Sequence, residues 1–226
     1  MRFRKIILVI VLFCLPFSLF AQGLTYDEQM FDFGHVGIDF KVRNQFVFVN
    51  RTDIDIKIKD IEVTCDCSTV HSNDSLVKPG DTAFFNLSFE TKDYYGPVNK
   101  SFKVFTDHPQ LPELQYFYVS IVGQWFNQMK PTPISLFFLP SKKSQKVTIP
   151  NKQFDNLTLT NHLRYDDKIS VEVIQGSADK KESIELLISP RSDLRAGTYN
   201  TNITLFIESE DDEITVMTIP VKIVKY

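Results

Sequence analysis

No stretch of 10 or more residues in this chain shows a convincing 3.6-residue apolar repeat, so the sequence gives no sign of a buried helix. Gly-x-Ser-x-Gly, His-Glu-x-x-His and a Gly-rich phosphate loop are all missing, which removes the familiar signatures of hydrolase, zinc-peptidase and nucleotide chemistry. There are only three cysteines, Cys14, Cys65 and Cys67, and a single tryptophan, Trp125. Basic residues are not in excess: 25 Lys and Arg face 28 Asp and Glu. That balance argues against nucleic acid or an anionic membrane surface as partner.

The one long apolar run is at the start. Arg2, Arg4 and Lys5 form a positive n-region, Ile6 to Phe20 an apolar segment, and Ala21 the small residue before a cleavage site. The run is shorter than the roughly 20 residues that span a bilayer. The pattern is that of a signal peptide over residues 1–21, which predicts an exported protein without a membrane span after cleavage. Leu19 makes the cleavage site imperfect, leaving an uncleaved N-terminal anchor as the other reading, and bulky Phe13 argues against lipidation at Cys14. Cleavage would remove Cys14 and three basic residues, leaving 22 basic against 28 acidic side chains, a net charge of −6.

What is present in quantity is period-2 alternation. Phe46 and Phe48, then Ile54, Ile56 and Ile58, then Ala83, Phe85, Leu87 and Phe89 each occupy one face of an extended segment. Turn signals separate them at Lys78-Pro79-Gly80-Asp81, Tyr95-Gly96-Pro97 and Asp107 to Pro112, with Pro79 and Gly80 in structural roles. The second half repeats the grammar, with strands expected at 134–138, 145–149, 154–160, 168–174, 183–188, 199–207 and 214–224. The acidic run Glu208 to Glu213 between the last two reads as a solvated hairpin tip. The fold class is all-β, arranged as two tandem immunoglobulin-like sandwiches, residues 22–125 and 126–226. Tyr199, after Arg195-Ala196-Gly197-Thr198, matches a tyrosine corner and is a structural residue.

The residues worth weighing for chemistry are Cys65 and Cys67 in Val63-Thr64-Cys65-Asp66-Cys67-Ser68-Thr69. Ile61, Val63, Cys65 and Cys67 share a parity, so an unbroken strand would aim all four at one face. The opposite parity of Ile54, Ile56 and Ile58 then calls for a bulge near Lys59-Asp60. The first reading is a pair of small apolar core residues. The second is a disulfide or redox pair, permitted in an oxidising compartment. Two positions apart on a strand, however, Cβ atoms stand roughly 6–7 Å apart, against the ~3.8 Å a disulfide needs. The third is a soft-metal site with His71 as an added ligand. Strand parity favours the first.

Phe31-Asp32-Phe33-Gly34-His35-Val36, Phe46-Val47-Phe48-Val49-Asn50, the Cys-x-Cys and Lys78-Pro79-Gly80-Asp81 follow one another in a characteristic order. In that order the chain resembles, over roughly residues 26–123, a secreted bacterial family catalogued only as a domain of unknown function. Its hallmark is an FDFG-like start, with Gly34 in a structural role, followed by Cys-Gly-Cys. The resemblance implies an immunoglobulin-like fold related to major sperm protein, PapD-type chaperones and the ASH group, in the periplasm or on the surface of a Gram-negative bacterium. It implies no activity. This chain has Asp66 in place of the family's Gly, which makes a tight turn between the thiols harder to form.

The expectation is therefore a non-enzymatic interaction or scaffolding protein of the cell envelope, with no cofactor and another envelope or surface protein as partner. Tyr94 and Tyr95 are its obvious exposed aromatics. The competing reading is a periplasmic thiol-redox or soft-metal protein using Cys65 and Cys67, with His71 assisting. A carbohydrate-binding sandwich is weaker, because Trp125 lies near the expected junction and offers no stacking platform.

Overall fold

A computed structural model describes residues 28–125, 128–161 and 163–226. The signal segment 1–21, residues 22–27 and His162 lie outside the described residues. All regular structure among the described residues is β. The first half contributes β1 (Met30–Val36), β2 (Lys41–Val49), β3 (Ile56–Val63), β4 (Ser68–Ser72), β5 (Leu76–Val77), β6 (Thr82–Glu90), β7 (Gly96–Thr106) and β8 (Glu113–Val122). The second contributes β9 (Leu136–Phe138), β10 (Gln145–Pro150), β11 (Asn156–Leu159), β12 (Arg164–Tyr165), β13 (Ile169–Gln175), β14 (Ser177–Asp179), β15 (Ser183–Pro190), β16 (Gly197–Ser209) and β17 (Ile214–Lys225).

Each half buries its own core between two sheets. In the first, β2-β6-β4 faces β1-β8-β7-β3-β5. The alternation read from sequence holds there: Val42, Phe46, Phe48, Ala83, Phe85, Leu87 and Phe89 are all buried. Phe102 and Tyr116 stack at 4.9 Å between centroids, and Phe46 meets both at 5.3 Å. Aromatic pairs of this kind add about 0.5–1.5 kcal/mol each beyond area burial. In the second half β10-β15-β13 faces β14-β11-β16-β17, closing on Val147, Leu186, Ile188, Ile203, Leu205 and Ile219. Trp125 packs against this second core.

The halves share a sheet. β1 lies between β8 and β17, parallel to both, so an 11-stranded sheet runs through the molecule. The Phe31-Asp32-Phe33-Gly34 segment explains how one strand serves both neighbours. Phe31 and Phe33 enter the first core, and the Asp32 carboxylate accepts the Gly34 N–H at 2.6 Å, fixing a register shift against β8 between Asp32 and His35. Gly34 sits at φ +59°, where a Cβ would meet the Val216 carbonyl oxygen at 2.0 Å. Beside it, the Thr218 hydroxyl donates to Phe33 O at 2.6 Å.

A second device occurs in both halves. Buried Asn50, at the end of β2, donates through Nδ2 to Ile54 O and Val77 O, 2.9 and 2.8 Å away. Buried Asn151, at the end of β10, donates to Phe154 O and Ala178 O at 2.9 Å. In each case the second carbonyl is 27 residues downstream. Each asparagine's backbone carbonyl then accepts from the N–H of a turn residue with positive φ: Gly80 at +81° and Lys181 at +78°. Lysine pays at such a φ what glycine does not. Lys181→Gly is accordingly expected to stabilise the protein by about 0.5–1 kcal/mol in urea titration; a loss of stability would contradict it.

One detail departs from the sequence reading. The register shift in β3 does fall between Ile58 and Asp60, but β3 ends at Val63, so the shared parity of Val63, Cys65 and Cys67 has no strand to act on. Past the expected boundary at 125/126, Thr132 exchanges both backbone hydrogen bonds with Thr148 and ties the Lys130-Pro131-Thr132-Pro133 connection to β10.

Candidate functional site

Residues 64–67 form the corner at which the chain leaves β3 in one sheet and enters β4 in the other. Thr64 anchors its near side, with backbone N–H and hydroxyl both donating to Ser101 O. Ser68 N–H closes the turn on Cys65 O at 3.3 Å, and Glu90 N–H holds Cys67 O at 2.9 Å. Here Cys65 and Cys67 are joined by a disulfide, with Cα atoms 5.2 Å apart. This corrects the expectation of two reduced core thiols. The strand-spacing objection fails because the pair occupies a turn, and the objection from Asp66 fails as well. Positive φ among non-glycine residues is found at Glu28, Asp39, Asp93, Lys181 and Asp212, and not at Asp66.

The sulfurs face two buried hydroxyls. Ser68 Oγ lies 3.6 Å from Cys65 Sγ and 3.7 Å from Cys67 Sγ, and Tyr118 OH is 2.5 Å beyond Ser68 Oγ. Burial pushes the Tyr118 phenol above its ordinary pKa, and the Ser68 hydroxyl offsets this only in part. Asp66 is exposed, and both cysteines are half-buried. His71 is not part of this group: it lies on the outer face of β4, opposite Asn86 of β6, while Ser68 and Val70 point inward. Among the described residues no three His, Cys, Asp or Glu side chains converge.

His71 instead lines a cleft of about 640 Å³. One wall is the outer face of β2-β6-β4, carrying Arg43, Gln45, Asn86, Ser88 and His71; the other is β12, the 166–168 turn and β16. The halves meet at its floor, where Asn202 Oδ1 accepts the Arg43 backbone N–H at 2.6 Å. Most charges here are already matched. Arg164 forms a two-pronged ion pair with Glu28 and lies over the Phe31 ring, and this hydrogen-bonded pairing raises its pKa. Lys168 is held by Asp166 and Asp167, which outweigh the opposing effect of burial and raise its pKa. Arg43 has no ion pair among the described residues. Two side-chain atoms in the lining, Asn44 Nδ2 and Ser88 Oγ, are buried without a hydrogen-bond partner among the described residues.

Sequence reasoning missed this cleft. Its residues are polar positions on the outer faces of strands from both halves, and no local motif joins them. The remaining singled-out residues are at turns. The Tyr199 hydroxyl donates to Arg195 O at 2.9 Å, and exposed Pro79 precedes Gly80 in the Asn50 turn. Tyr94 packs on Phe89 and under Lys100, whereas Tyr95 is 71% exposed.

Residues 24–121 match the family described as "Protein of unknown function (DUF1573)", the counterpart of the resemblance carried by the motif order. No curated protein matches the chain. Among solved structures, the chain is similar to the VesB protease of Vibrio cholerae, at 10% identity and a TM-score of 0.36. That match covers 43% of this chain and spans only 31% of the protease. A protein of unknown function from Porphyromonas gingivalis is similar at 13% identity and a TM-score of 0.33, over 89% of this chain and 99% of that one. WR4, a major sperm protein family member of C. elegans, is similar at 14% identity and a TM-score of 0.34, over 45% and 100%.

Proposed function

We propose that this chain is an exported, non-enzymatic interaction module of the bacterial envelope, built as tandem sandwich units 22–125 and 126–226. Its partner is another envelope or surface protein, which lays a polar, extended segment into the cleft between β2-β6-β4 and β12-β16. The observation that carries this reading is the cleft itself, walled by polar side chains from both halves, with Arg43 left without an ion pair among the described residues. A bound extended segment offers backbone carbonyls and N–H groups to the amides of Gln45, Asn86 and Asn202, which line this surface. The disulfide supports an oxidising compartment, where such bonds persist.

The test is a photo-crosslinking residue at Gln45 in the exported protein, with a second at Lys222 as control. The expected result is one partner captured from Gln45 and not from Lys222. Ser88→Trp, which fills the cleft, should weaken binding of that partner by about tenfold or more. Equal capture at both positions, or full binding by Ser88→Trp, would sink the reading.

A further inference from the structure

We infer that the Cys65–Cys67 corner is a thiol–disulfide exchange site for a dithiol, and that Ser68 and Tyr118 form a hydroxyl relay receiving the leaving thiolate. Three observations meet here. First, the bond links residues two apart, so it contributes little as a staple: the chain-entropy relation gives about 1.6 kcal/mol for a three-residue loop. The corner is held independently by hydrogen bonds from Thr64, Ser68 and Glu90, so opening the bond leaves the fold standing. Second, the two sulfurs differ in setting: Cys67 packs against the first core, while Cys65 Sγ lies 4.0 Å from the Tyr118 hydroxyl as well as 3.6 Å from Ser68 Oγ. Third, Ser68 Oγ lies within 3.7 Å of both sulfurs and Tyr118 OH stands directly behind it. A disulfide sulfur carries no proton, so any hydrogen bond in this group must be donated by a hydroxyl. In the arrangement we infer, Tyr118 donates to Ser68 Oγ and the Ser68 proton points at sulfur.

The exchange balances as follows. A thiolate of the incoming dithiol attacks the half-buried Cys65 Sγ, forming a mixed disulfide. The Cys65–Cys67 bond breaks, and its electron pair leaves on Cys67 Sγ as a thiolate, which accepts the Ser68 hydroxyl proton in a hydrogen bond. The second thiol of the dithiol loses its proton to solvent and displaces Cys65. The dithiol is oxidised by two electrons to its disulfide, Cys65 and Cys67 are reduced, and the two protons released return through solvent to their sulfurs. A thiolate that is stabilised leaves faster. Ser68 touches both reacting sulfurs, while Tyr118 orients Ser68 and also stands 4.0 Å from Cys65 Sγ.

The test uses the full chain at neutral pH with dithiothreitol as probe, followed by acid quench, alkylation and intact mass. The native protein should be reduced without loss of its circular dichroism. Ser68→Ala should slow reduction about tenfold, in line with loss of a hydrogen bond to a charged group. In reduced Cys65→Ser, the pH profile of Cys67 alkylation should move upward by about one unit on adding Ser68→Ala, with Ser68→Thr restoring most of the shift. Tyr118→Phe should show the same upward displacement to a lesser degree; if it fails to fold, Ser68→Ala carries the test. A disulfide that resists millimolar dithiothreitol until denaturant is added would overturn the inference, as would Ser68→Ala exchanging at the native rate with an unmoved alkylation profile. The outcome is separate from the cleft reading: Ser88→Trp should exchange normally, and Cys65→Ser/Cys67→Ser should still capture the cleft partner.

Discussion

Gly34→Ala should lower the free energy of unfolding by about 3–5 kcal/mol, the range reserved for backbone strain combined with overpacking. The cost has two parts. A φ of +59° is a left-handed conformation that an alanine pays about 1–2 kcal/mol to adopt. The larger part is steric, since the new Cβ would lie 2.0 Å from Val216 O, 2.2 Å from its carbonyl carbon and 2.6 Å from its Cβ. None of these atoms is the end of a flexible side chain, so β17 must move away from β1. The shift would pull Thr218 from Phe33 O and open the shared sheet at its one strand common to both halves. Gly80→Ala is the control. Its φ of +81° is comparably strained, but nothing lies within 4 Å of the new Cβ, so it should cost only about 1 kcal/mol. Urea titration of both variants checks the contrast. Equal, small losses would mean that β17 is not seated against β1.

The sequence was legible where neighbours in the chain decide the structure. Strands β10, β13, β15, β16 and β17 fall within one or two residues of the period-2 runs; β10 and β15 bury one face throughout, whereas β16 and β17 bury both faces at their centres and β13 buries only Ile169. It was misleading at Cys65, where parity was carried past Val63 into residues that turn a corner. The placement of β1 was not legible at all. Its two partners, β8 and β17, lie far along the chain, and a single Asp32–Gly34 hydrogen bond lets it reach both. The cleft was hidden for a related reason. Arg43, Asn86, Ser88 and His71 alternate with core residues as ordinary solvent-facing positions do, and only the packing of β16 beside β2 gives them a second wall. Asn50 and Asn151 left a faint trace: the asparagines, Val77 and Ala178, and Gly80 and Lys181 are each 101 residues apart. Single residues at that spacing, with Gly replaced by Lys and Val by Ala, do not form a readable repeat.

That hidden pair carries the second large effect. Asn50→Ala and Asn151→Ala should each cost about 3 kcal/mol. Removing the Asn50 side chain takes a donor from Val77 O and Ile54 O and an acceptor from Thr52 N and Oγ1, while the 3.1 Å Thr52 Oγ1 to Ile54 O bond remains in the turn. Removing Asn151 strips Phe154 O and Ala178 O of a donor and Phe154 N of an acceptor. Each orphaned buried group costs about 1–3 kcal/mol, with water relieving those nearest the surface. Asn50→Asp should be at least as damaging, since a carboxylate keeps the acceptor but turns a buried negative oxygen toward two carbonyls. Both alanine variants should lower one and the same thermal transition by about 6–12 °C, at roughly 2–4 °C per kcal/mol for a chain of this size. A single transition is expected because the halves do not separate cleanly. β1 is paired on both sides, Asn202 holds the edge of β2, and Arg164 of the second half grips Glu28 of the first. Calorimetry decides the matter. Two resolved transitions, with Asn50→Ala moving one and Asn151→Ala the other, would show that the shared sheet does not couple the cores. A shift below about 2 °C in either variant would remove the asparagine device from the account of stability.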